Sequence, residues 1–125
     1  MFSHQLYNVV HVIGIVLAMS ALGGACVLAM AGASVVARPP RKLLAFLHGF
    51  GVFLILLGGF GMLARLGIVQ GGSFPAWLWV KLGVWGIVAA ALMLALRRPA
   101  MARPLLLSLP VLGGVATYMA IYKPF

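Results

Sequence analysis

The chain contains no aspartate and no glutamate, against nine lysines and arginines. That absence excludes paired-carboxylate catalysis, a Ser-His-Asp triad and a carboxylate cage for a hard cation. It also means that no acidic side chain can neutralise a buried cation. Counter-charge must come from lipid phosphate, the carboxylate of Phe125, a ligand or a partner subunit. Cysteine is almost as scarce: Cys26 alone excludes an intrachain disulfide and any CxxC motif. It sits in an Ala/Gly-rich run, where a small packing residue is expected. The beginning of the chain has no basic segment before its long first apolar stretch, so an uncleaved helix is expected there, not a signal peptide.

What fills the 125 residues is apolar: 65% of them are hydrophobic and the mean hydropathy is +1.20. This exceeds the apolar share of soluble domains and predicts a membrane protein. The cations lie between apolar stretches and not along one face, so they read as topology determinants and not as a nucleic-acid surface. Four spans are predicted, at about 6–36, 43–64, 76–96 and 105–122, each near or above the roughly 20 residues a bilayer needs. The predicted fold is all-α, a single integral membrane four-helix bundle. Gly14, Ala18, Ala21, Ala25 and Ala29 give span one a face for close packing, and Gly58, Gly59 and Gly61 suit close packing or a kink in span two. Arg38-Pro-Pro-Arg-Lys42 reads as a linker, and so does 66–75, rich in turn residues. Trp77 and Trp79 read as an interfacial belt, and Pro110 as a kink in span four.

Arg38, Arg41, Lys42, Arg97, Arg98 and Arg103 fall in the two loops on one side. Arg65, Lys81 and Lys123 belong to the other. The positive-inside rule then puts both termini on the periplasmic side of a bacterial inner membrane.

His4, Tyr7, Asn8 and His11 are spaced to share one face where the first helix enters the bilayer. Polar groups there form a site hypothesis, because hydrocarbon does not solvate them. Arg65, Gln70, Lys81, Thr117, Tyr118 and Tyr122 are placed in the same leaflet. Together they predict a cationic, hydrogen-bonding collar for an anionic or carbonyl-bearing guest: a haem propionate, a quinone, a lipid phosphate or a partner's carboxylate. His11 is the candidate single axial ligand of a haem b, or a quinone hydrogen-bond donor. His48 is placed near the opposite end, about 15 Å away along the membrane normal at 1.5 Å per residue across a roughly 30 Å core. Two ligands on one iron lie only about 4 Å apart, so His11 and His48 are not expected to share a haem.

Plainer roles stand beside these. His11 is a candidate interhelical hydrogen-bond donor, His4 an interfacial residue, Lys81 a side chain snorkelling past Trp77 to the headgroups, and Arg65 a helix-end anchor. His48 reads as a satisfied packing histidine. The methionines are scattered through depth and form no copper ladder.

The segments Asn8-Val-Val-His11-Val-Ile-Gly-Ile-Val, Leu47-His48-Gly-Phe-Gly, Leu56-Leu-Gly-Gly-Phe-Gly-Met62 and Pro75-Ala-Trp-Leu-Trp-Val-Lys81-Leu-Gly form a pattern. It resembles small bacterial four-helix membrane proteins of the SirB type, and more distantly copper-resistance-D and HemJ-type proteins. The resemblance implies the four-helix membrane fold and points to His11, His48 and Lys81. SirB-like proteins tend to carry an Asp soon after the second-span His; here Gly49, Phe50 and Gly51 follow.

Two functions are expected from this reading. One is an accessory or structural subunit that acts by association with other membrane subunits or with itself, its collar binding lipid, quinone or a partner carboxylate. The other, from the resemblance, is a haem- or quinone-binding redox protein.

Overall fold

The computed structural model describes residues 3–31, 38–66 and 75–122. The side chains of 38–40 and of the last two residues of the second segment are outside that description. Four helices follow one another: α1 (His4–Ala31), α2 (Arg38–Leu66), α3 (Ala76–Arg97) and α4 (Ala102–Tyr122), with a single 3₁₀ turn, Pro99–Met101, between the last two. No strand occurs among the described residues, so the fold is an all-α four-helix bundle. Each of the four is long and apolar enough to cross a membrane.

Local chemistry sets the helix ends. Ser3 caps α1, its Oγ accepting the Leu6 N–H at 3.1 Å and its carbonyl accepting from Tyr7. Pro75, in extended conformation, precedes α3 and offers its carbonyl to Leu78 at 3.1 Å. The segment Arg38–Lys42, expected to be a linker, instead opens α2. Two prolines fit a first helical turn, where their missing N–H groups have no intrahelical partner in any case. The expected continuation of span one from Ala31 to Val36 lies outside the described residues, as does Gln70.

The most intimate packing joins α1 to α2, antiparallel and backbone to backbone. A β-carbon on Gly14 would stand 2.7 Å from the Gly51 carbonyl oxygen and the Ile55 nitrogen. One on Gly51 would stand 2.6 Å from the Ala18 nitrogen, and one on Gly58 2.6 Å from the His11 nitrogen. At Gly61 the space is filled by the Tyr7 ring. α2 runs unbroken through its glycines, and they let two main chains touch.

A second core lies toward the basic end. There Leu22, Ala25, Cys26 and Ala29 of α1 meet Val88, Ala91, Leu92 and Ala95 of α3 and Ala102 and Leu109 of α4. Cys26 is a fully buried packing residue. A smaller cluster, Leu63, Trp77 and Leu78, closes the opposite end with Leu82 and Met119. Trp77 is therefore a core residue and not part of a belt, whereas Trp79 turns outward. The two residues lie two apart on a helix, so their side chains point in very different directions. Leu43, Phe46, Phe50, Phe53 and Leu57 form the outer face of α2. α4 continues through Pro110 without a break.

The seam is testable by adding side chains to it. Gly58→Leu should destabilise the bundle by about 3 kcal/mol or more, the upper range for overpacking, because backbone cannot yield as side chains do. Gly83→Ala and Gly113→Ala face open space and should be neutral or stabilising by up to about 1 kcal/mol. Equilibrium unfolding in mixed micelles, followed by helical circular dichroism, compares the three.

Candidate functional site

An imidazole or indole N–H buried in an apolar bundle must find an acceptor. This chain offers no acidic side chain. Three such groups instead reach the main-chain carbonyl of a neighbouring helix. His11 Nδ1 lies 2.7 Å from the Ile55 carbonyl oxygen, linking α1 to α2. His48 Nε2 lies 2.9 Å from the Val88 oxygen, linking α2 to α3. Trp85 Nε1 donates to the Val52 oxygen at 3.0 Å, linking α3 back to α2. A carbonyl oxygen has two lone pairs, so each of these accepts a side chain in addition to its helical partner. Among the described residues no buried side-chain nitrogen or oxygen lacks a hydrogen bond.

The bonds also fix tautomers. A carbonyl can only accept, so His11 carries its proton on Nδ1 and His48 on Nε2. In neutral His11 the Nε2 lone pair remains for another partner. That is also how a metal-ligating histidine is held, with its second nitrogen tied to a carbonyl.

The register of these links brings Lys81 to about the level of His11 along the bundle. His48 opposite Val88 and Val52 opposite Trp85 run antiparallel, so Lys81 and Leu82 fall level with Ile55. His11 meets Ile55 from the other side, and Lys81 lies within electrostatic reach of its ring. His48 stands seven residues from Ile55 on α2, about 10 Å along the axis. It faces α3, is only 4% exposed and shares no partner with His11.

The expected stripe is divided. His4, Tyr7 and His11 are half-buried, with Tyr7 and His11 against the glycines of α2, but Asn8 is exposed. The expected collar loses members too. The Thr117 hydroxyl donates to the Gly113 carbonyl of its own helix at 2.8 Å. Tyr118 and Tyr122 face outward, their rings 4.7 Å apart. Arg65 lies in the last turn of α2, its side chain outside the described part. Beside the stripe, Tyr7, Phe53, Leu56, Leu57, Phe60 and Gly61 line a shallow, open apolar depression. Among the described residues no three His or Cys side chains gather as a metal set.

Sequence reasoning missed Trp85 and the Ser3 cap. Trp85 lies four residues beyond Lys81, on the same face, and that spacing was the available signal. In comparisons with known proteins, no family model, no curated protein and no solved structure matches the chain.

The α2–α3 links make a double-mutant cycle. His48→Leu and Trp85→Phe should each cost about 0.5–1.5 kcal/mol in detergent unfolding. The double variant should depart from additivity, because the two bonds clasp the same pair of helix turns. Strict additivity would show that they act independently.

Proposed function

We propose that the chain is a multi-pass protein of a bacterial inner membrane that acts by association, as an accessory subunit beside other membrane subunits or further copies of itself. The end of the bundle carrying His4, Tyr7 and His11 receives a carbonyl-bearing or anionic group: a lipid headgroup, a quinone or a partner's carboxylate. By the positive-inside rule that end, and both termini, lie on the periplasmic side. The observation that supports the reading is His11 of α1, tied through Nδ1 to the Ile55 carbonyl and close enough to Lys81 of α3 to feel its charge. A cation and a hydrogen-bonding ring among apolar helices suit an amphiphile with a polar head and a greasy body.

A second reading has a specific observation behind it. If haem binds, His11, held through Nδ1 on the Ile55 carbonyl, would ligate it through the Nε2 lone pair. Lys81 is a cation for a propionate. This agrees with the resemblance to SirB-like and HemJ-type proteins, and bound haem would supply one-electron chemistry. His48, tied to Val88, is not its second ligand.

One preparation tests both readings. Protein purified in neutral detergent is extracted with organic solvent, and quinones and lipids are measured by mass spectrometry. An absorption spectrum is recorded after growth with haem supply. Wild type should retain a quinone, and Lys81→Met and His11→Leu should lower it by about tenfold, a loss worth about 1.4 kcal/mol. A Soret band lost in His11→Leu would favour haem. Equal guest content in wild type and both variants, with no Soret band, would refute the site.

A further inference from the structure

Opposite the His11 end, three arginines are mounted on a fixed turn. α3 ends at Arg97, with the Arg98 N–H on the Leu94 carbonyl at 2.8 Å. The 3₁₀ turn is closed by the Met101 N–H on the Arg98 carbonyl at 2.9 Å and by the Ala102 N–H on Pro99. Ala102 itself is fully buried in the core with Ala25, Cys26 and Ala29. Arg97, Arg98 and Arg103 around it are all exposed. The scaffold is thus rigid and anchored, and only the side chains remain to be ordered when something binds.

Arg41 and Lys42, also exposed, belong to the same end. The register of His48 with Val88, followed back along α2, brings them level with the end of α3 near Arg97. Five described cations therefore surround one end of a chain that has no acidic side chain. Their complement is an anion from outside the chain.

The apolar surface beneath the cations distinguishes one anion from another. Leu107 and Val111 follow Arg103 at intervals of four on α4, and both are about two-thirds exposed. Phe46 and Phe50 follow Lys42 in the same way on α2, exposed and stacked with ring centroids 6.0 Å apart. Residues four apart lie one above the other on a helix. Arg103 and Lys42 thus each stand at the head of an apolar track running down the bundle. A free phosphate has no use for such a track, whereas a phospholipid acyl chain fits along it.

We propose that this end binds anionic phospholipids, with the headgroup phosphate on Arg97, Arg98 and Arg103 and an acyl chain along Leu107 and Val111. Guanidinium forks match phosphate oxygens in pairs, which favours arginine for this contact. The proposal rests on the membrane-spanning reading but not on the His11 site.

Native mass spectrometry of the full chain, released from micelles holding equal phosphatidylglycerol and phosphatidylcholine, tests it. Wild type should retain phosphatidylglycerol in preference. Each cation near an anionic surface contributes up to roughly fivefold, so Arg97→Gln/Arg98→Gln/Arg103→Gln should lower the preference by about tenfold or more. The triple Arg→Lys variant should keep most of it, showing that the charges and not a folding defect are responsible. Leu107→Ser/Val111→Ser should reduce lipid retention, and millimolar inorganic phosphate should not displace the lipid. Equal retention of the two lipids, a preference unchanged by the Gln variant, or displacement by inorganic phosphate would each overturn the proposal. Alkaline carbonate washing of membranes separates the premises. Release of the protein would refute the spanning reading, whereas a retained protein without lipid preference would refute this site alone.

Discussion

The constraint on which the bundle depends is the scarcity of acceptors. A chain this apolar, without a carboxylate side chain, must still satisfy its buried N–H groups. It does so with the second lone pair of helix carbonyls. His11, His48 and Trp85 each reach across to a neighbouring main chain. Such bonds need an open path to the carbonyl, and that path sets which residues face one another. They are modest individually, but they fix register between helices whose surfaces are otherwise interchangeable hydrocarbon.

The interfaces between helices use different means. α1 and α2 are joined by close contact at glycines, where the two main chains pack directly on each other. α2 and α3 touch less and are clasped by the His48 and Trp85 bonds. α4 holds mainly through Ala102 and Leu109 in the shared core. Its own polar groups are satisfied locally: Ser108 donates to the Leu105 carbonyl at 2.7 Å, as Thr117 does to Gly113. The arrangement leaves two chemically distinct ends. One is ringed by cations above apolar tracks. The other carries His11, Tyr7 and Lys81.

Much of the architecture was legible because length and hydropathy suffice for helices of this kind. The four helices lie within a few residues of their expected limits where they are described. The exception at Arg38 arose because paired prolines read equally as a stop and as a helix start. Pairings were not legible. Periodicity put His4, Tyr7, Asn8 and His11 on one face, yet it could not say that Gly58 and Gly61 would receive Tyr7 and His11 and leave Asn8 outside. Trp77 and Trp79 looked alike in sequence, and only the direction of the neighbouring helices separates core from surface. Depth arguments set His48 apart from His11, but its Val88 acceptor is a main-chain atom, and every residue has one.

The contact between α1 and α2 has a consequence for biogenesis. Sliding α2 by a turn would set Leu54 or Met62 where Gly58 leaves room only for hydrogen, so the register of the pair is narrowly set. Both partners come from the first half of the chain, and nearly all that the seam needs is present once Leu66 has been made. This first hairpin thus carries the elements of its own register, independent of α3 and α4. α3 meets a surface bearing the His48 donor and the Val52 carbonyl.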